Sequence, residues 1–176
     1  MRRGCCPSAN GRITVRRLAG TNGIPTRDIL RAVRAALADT PYRRLSIVVV
    51  DDEQISRLHG RFMADPTPTD VLAFDLRDVP TDEVIEGEVI VSSETACRQG
   101  PHFGADPGQE LLRYAIHGTL HLVGYDDHTP AGRRRMRREE NRILSDPAAM
   151  GGPSRRPRRT EPGPLRKQRT ASGVQR

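Results

Sequence analysis

A chain of 176 residues can form one domain with an adequate single core and carry some unpacked sequence besides. It contains no run of about 18 apolar residues, which argues against a helical membrane span. Its formal net charge of +7 is misleading as an average, because the stretch from Pro147 to Arg176 alone holds eight basic residues and one acidic one, leaving a neutral body with 21 of each sign. The opening MRRGCCPSANGR lacks the apolar stretch of a secretory signal, so none is expected. Cys5, Cys6 and Cys97 make neither a CxxC pair nor an even framework, which fits a reducing cytoplasm.

Residues 1–10 read as disordered. RITVRRL alternates apolar and polar residues around Ile13, Val15 and Leu18 and predicts a strand. TRDILRAVRAALAD sets Ile29, Leu30, Val33 and Leu37 on one helical face, with Thr26 as its cap and Pro41 beyond its end. LSIVVV, residues 45–50, is short and β-branched, the pattern of a buried central strand. DDEQISRLHGRF restarts with acidic capping residues and aligns Ile55, Leu58 and Phe62 as a second helix.

After the proline-rich loop MADPTPTD, VLAFDL and GEVIVS predict a third and a fourth strand, and SETACRQGPHF a short helix capped by Ser92 or Ser93. The next helix opens at DPGQ: Asp106 caps, Pro107 suits the first turn and Gln109 stands at the capping-box position. It runs through ELLRYAIHGTLHLV and stops at Gly124. Thr129-Pro130 opens a last helix with Met136, Ile143 and Leu144 facing inward. From Pro147 onward Pro, Gly and Arg dominate, and residues 147–176 read as a disordered basic tail. The expected fold class is therefore α+β, with one domain over residues 11–146, about four strands and about five or six helices.

Three of the five histidines fall within HGTLHLVGYDDH, residues 117–128. His117 and His121 lie one turn apart on the predicted helix, so both imidazoles project from one face, with Cβ atoms roughly 5–6 Å apart. His128 follows the helix end and is the candidate third ligand. Three neutral imidazoles with a position left open make a catalytic rather than a closed zinc site. The zinc proteases that share the two-histidine turn carry a glutamate as general base directly after the first histidine. Here that position is Gly118, which accepts no proton and weakens a helix, so a packing or access need is expected to hold it there.

These residues carry a resemblance. HGTLHLVGYDDH is similar to the HGxLHLxGYDH signature of the YbeY family, bacterial endoribonucleases of ribosomal RNA maturation. PTDVLAFDL resembles the family's PTDVLSF segment, GEVIVSSETACRQ its strand-helix segment and MRREENRIL its closing helix, so the likeness spans Ile13 to Leu144. It implies a mixed sheet with a zincin-like metal helix. It also implies one zinc ion held by His117, His121 and His128, and cleavage of single-stranded RNA in small-subunit (16S) rRNA maturation and ribosome quality control. The implied partners are rRNA and the small ribosomal subunit, with no membrane and no DNA.

Two departures stand out. GYDDH has one residue more than GYDH before its histidine, leaving Asp126 or Asp127 as a candidate to ligate or to orient a histidine. The arginine that closes the family's helix before PTDVL falls on Met63 here, with Arg61 on a different helix face, so no catalytic side chain is carried over and the reactive group is expected to be metal-bound water. Arg133, Arg134 and Arg137 follow the third histidine and are the candidate RNA contacts. With 3% aromatic residues and no tryptophan, a stand-alone base-stacking module is disfavoured, and backbone-directed contact is expected. The rival readings are a non-catalytic assembly factor with a structural metal, which Met63 favours, and a metalloprotease, which Gly118 opposes. His59 and His102 read as surface residues and Cys97 as a small helix-packing one.

Overall fold

A computed structural model describes residues 11–79 and 83–147. The expectations for the first ten residues and for the tail from residue 148 lie outside them. The element order is β1 (Arg12–Arg17), α1 (Thr26–Leu37), β2 (Tyr42–Val50), α2 (Asp52–Met63), β3 (Val71–Asp75), β4 (Ile85–Ser92), α3 (Ser93–Gln99), a 3₁₀ turn (Gly100–Phe103), α4 (Pro107–Leu122) and α5 (Pro130–Ser145). The architecture is α+β, a mixed four-stranded sheet in the order β1-β2-β4-β3. β1, β2 and β4 run parallel, and β3 pairs antiparallel to β4 at the edge.

The alternation of β2 explains the layering. Leu45, Ile47 and Val49 point into the main core with Val89 and Val91 of β4, while Val48, Val50 and Ile90 point to the other face. Ile29, Val33 and Leu37 of α1, four residues apart, and Leu112, Ile116 and Leu120 of α4 cover the first face. Each such side chain contributes about 1.5–3 kcal/mol by its burial. α2 covers the second face through Ile55 and Leu58. Phe62, expected on that buried stripe, is 55% exposed and meets Phe74 edge-on instead. α2 ends one residue later, at Met63.

The caps place α3 and α4 for the site. Ser92 accepts from Thr95 N, and Asp106 accepts from Gly108 N and Gln109 N. At α1 the residue before the helix is Pro25, and no side chain caps it, so Thr26 does not serve as expected. Cys97 is exposed, with its Sγ 3.3 Å from Asn22 Oδ1, rather than packed inside a helix interface. Among the described residues, no helix is long and apolar enough to cross a membrane.

Candidate metal centre

α4 is anchored on the sheet by its apolar face and leaves His117 and His121 on the opposite flank. Gly118 lies on the buried side between them. A Cβ there would stand 2.5 Å from Val89 Cγ1 and 2.9 Å from Val71 Cγ2. The glycine is therefore a packing requirement: it lets the helix sit close to β3 and β4 at the level of the histidines. A glutamate at this position would enter the sheet, not the solvent, so the protease base is excluded sterically as well as chemically.

The helix end then turns the chain back. Gly124 has φ +96°, its N–H donates to His121 O and the Tyr125 N–H donates to Leu120 O, both at 2.9 Å. This is the Schellman pattern, which needs a left-handed residue and so favours glycine. It puts the Tyr125 carbonyl 3.1 Å from His121 Nδ1 and brings Asp127 over the helix flank. α5 closes the far side, capped by Thr129, whose hydroxyl accepts from Gly132 N.

Both imidazoles are held by their Nδ1 atoms. His117 Nδ1 bonds Glu140 Oε1 at 2.7 Å, and His121 Nδ1 bonds the Tyr125 carbonyl, so in each ring an acceptor claims the Nδ1 proton. The two Nε2 atoms face each other at 3.0 Å. Asp127 Oδ2 and Oδ1 lie 3.8 Å from His117 Nε2 and His121 Nε2 respectively. Two neutral imidazoles with Nδ1 protonated present bare lone pairs to each other, which repel unless a proton or a cation lies between them. The Asp127 carboxylate near the same point stabilises either one, and with it three donor atoms are close enough together to hold a metal ion. Two nitrogens bound tetrahedrally to zinc at 2.0–2.1 Å would stand roughly 3.3 Å apart, so the donor set fits a divalent ion with small adjustments.

Electrostatics follow burial and partners. Burial pushes the His117 imidazole down, but its hydrogen bond to Glu140 and the charges of Glu140 and Asp127 outweigh this and raise it above the usual histidine range. His121, without a carboxylate on Nδ1, is lowered by burial and by its neighbour His117. Burial raises Glu140, and the bonds from His117 and Arg113 more than reverse that. The site thus holds one imidazole tuned toward positive charge and one tuned toward neutrality, with Glu140, itself 6% exposed, as the stabilising anion.

A cavity of about 560 Å³ opens beside His117 and Asp127, within the usual range for a ligand site. It is lined in part by Asp70, Arg113, Arg133, Arg134, Arg137 and Glu140. Asp70 Oδ1 accepts from Val71 N and the Thr69 hydroxyl, which fixes its carboxylate at the cavity wall. Arg133 donates to the carbonyls of Asp127 at 3.0 Å and His128 at 3.1 Å, which pins the loop. Arg134 and Arg137 face the cavity without an ion-pair partner among the described residues. No residue of α2 lines it, so neither Arg61 nor Met63 stands at the site.

His128 does not join the pair. Its side chain is 90% exposed, with Nε2 3.7 Å from Asp126 Oδ1. The expected convergence of His117, His121 and His128 is replaced by His117, His121 and Asp127, because the Schellman turn presents residue 127 to the helix. His128, one residue further, has its N–H on Asp126 and its carbonyl on Arg133. A second group of possible donors, Asp126, Asp127 and His128, lies on the outer side of the same loop. The signal for Asp127 was available: without a gap, HGTLHLVGYDD sets Asp127, not His128, against the last histidine of the signature. Glu140 was not among the candidate residues. It stands four residues after Met136 and three before Ile143, on the buried stripe of α5.

An α+β fold in which a buried helix carries two facing histidines beside a returning carboxylate defines a class of proteins with a donor set that could hold a metal ion. Comparison with known proteins is more specific. Residues 22–147 match the family model Endoribonuclease YbeY. Endoribonuclease YbeY of Salinibacter ruber is 40% identical over 121 residues, 65% of this chain and 76% of its own. That of Desulfitobacterium hafniense is 34% identical over 70% of this chain and 83% of its own, and that of Thermobifida fusca 31% identical over 73% and 90%. A solution structure from Thermotoga maritima shares the fold with a TM-score of 0.51 at 23% identity, covering 78% of this chain and 89% of that one. The chain belongs to the YbeY endoribonuclease family.

Proposed function

We propose that this protein is a metal-dependent endoribonuclease that cleaves single-stranded RNA in the maturation of small-subunit rRNA, with zinc as its ion and the cytoplasm as its place of action. The observation that carries the reading is the pair of Nε2 atoms at 3.0 Å, both Nδ1 atoms engaged and a carboxylate beside them. In this reading His117, His121 and Asp127 hold the ion, which, when bound, supplies Lewis-acid polarisation of a phosphoryl oxygen and a lowered pKa for solvent. Glu140 and the Tyr125 carbonyl fix the ring orientations. Arg134 and Arg137, with the cavity side of Arg133, oppose the negative charge of the phosphodiester and take the place of the family arginine that Met63 cannot supply. His128 is left as an outer residue of the loop.

The test pairs metal analysis of the purified protein with cleavage of single-stranded and structured rRNA fragments. Wild type and His128→Ala are expected to bind zinc within about twofold of each other and to cut single strands. Asp127→Ala should lose affinity by at least 10-fold, the scale of a lost orienting partner, together with cleavage. The opposite ranking of the two variants would restore His128 as the ligand. A folded His117→Ala variant without cleavage supports catalysis, whereas an unfolded one supports the assembly-factor reading with a structural metal. A zinc-loaded protein that spares RNA and cuts peptides would sink the nuclease reading.

A further inference from the structure

The cavity does not end at the histidines. It runs back along α4 over Tyr114, Arg113 and Glu110, which share a helix face with His117 at three, four and seven residues' distance, and reaches the ring of Phe103. A smaller void of about 250 Å³ opens off it between Phe103, Glu110, Arg113, Arg137 and Asn141. Seven helical residues place Glu110 about 10 Å from His117 along the axis. That is the reach from a phosphate group to the base of a neighbouring nucleotide.

Two side chains here do little for the fold. Phe103 is 68% exposed at the end of the 3₁₀ turn, a poor use of one of only three phenylalanines. Glu110 is 3% exposed, yet its Oε2 makes no hydrogen bond. Arg113 Nε, at 3.4 Å, gives it an ion pair only. A buried polar oxygen without a hydrogen bond is costly and uncommon. Burial and the charges of Glu140 and Asp70 all push its carboxyl above the usual range, against the pull of Arg113. The helix thus holds at the edge of an open, aromatic-sided void a carboxylate that, among the described residues, is paired only with Arg113 and makes no hydrogen bond through Oε2.

We propose that this alcove is a nucleobase subsite, in which a base next to the scissile phosphate stacks on Phe103 and donates a hydrogen bond from its exocyclic amino group to the Glu110 carboxylate. The inference rests on the ribonuclease reading. Stacking on an aromatic ring tolerates every base. The carboxylate adds the preference, since it accepts from an amino group such as cytosine N4, whereas uracil presents a carbonyl oxygen at the same position. The subsite therefore favours cytosine over uracil.

Fluorescent single-stranded oligo(C) and oligo(U) RNA, titrated with the full chain loaded with zinc at a salt concentration that suppresses backbone-only binding, test this by anisotropy. Wild type should bind oligo(C) about tenfold more tightly than oligo(U). Phe103→Ala should weaken both by about tenfold, with recovery in Phe103→Tyr. Glu110→Leu, similar in volume and apolar in a buried place, should erase the difference between the two RNAs. Glu110→Gln, whose amide both donates and accepts, should narrow the difference and serves if the leucine variant does not fold. Equal wild-type affinities, no RNA binding, or full affinity in Phe103→Ala would each overturn the subsite. Binding in the expected pattern without cleavage would sink the nuclease reading and leave the subsite standing; cleavage without the pattern would do the reverse.

Discussion

Glu140 is the residue whose replacement reports most directly on how the two helices make one site. Its Oε1 accepts from His117 Nδ1 at 2.7 Å, and its Oε2 accepts from Arg113 at 3.2 Å. Glu140→Gln keeps the volume but cannot serve both partners. If the amide oxygen takes the imidazole proton, the NH₂ group faces the guanidinium, donor against donor; the flipped amide makes the same conflict at His117. One charge-assisted bond is lost, worth about 1.5–3 kcal/mol. At 1.4 kcal/mol per factor of ten, that is roughly 10- to 100-fold in any equilibrium needing His117 oriented, which agrees with the 10- to 100-fold losses seen for outer partners of metal-bound histidines. Zinc affinity is measured by competition with a chromophoric chelator, and the metal-free fold by urea unfolding. A Gln variant that folds and binds zinc within about twofold of wild type would refute the reasoning and reduce Glu140 to a packing group.

Other consequences can be checked separately. Gly118→Ala gains about 1 kcal/mol of helix propensity but drives a methyl into Val89 and Val71, an overpacking cost of about 1–3 kcal/mol; the urea midpoint should fall, and a rise would show that α4 can lift from the sheet freely. Asp52 is raised by burial, but bonds from Ser92, Arg98 and Thr95 outweigh this and hold its carboxyl below the ordinary value of 3.8. A depressed folded value stabilises above the unfolded one and is lost as pH falls through it, so Asp52→Asn should cost stability at neutral pH and nothing at strongly acidic pH. A gap that persists in acid would disprove the charge argument. Met136→Ala, which empties a fully buried position between α5 and α4, should cost about 2–5 kcal/mol by urea unfolding, and a loss under 1 kcal/mol would show that α5 is not docked as described.

What could be read along the chain was whatever local physics decides. β-branched runs gave three of the strands their places, apolar spacing gave the faces of α1 and α4, and Asp106, Pro107 and Gly124 bounded the histidine helix because caps and left-handed residues act within one turn. His117 and His121 were paired by the helical repeat alone. The rest depended on which surfaces meet. Whether residue 127 or 128 reaches the pair is set by the direction in which the loop leaves Gly124 and by the grip of Arg133 on its carbonyls. That Glu140 is buried beneath His117 follows from α5 docking on α4, since a charged residue in a run of arginines and glutamates reads as solvated until its helix has a neighbour. Gly118 could be seen to be unusual, but only the approach of Val71 and Val89, on strands distant in sequence, supplies the steric reason. Short-range geometry placed the two rings on one face and turned residue 127 toward them; long-range packing decided that Glu140 would lie beneath one of them.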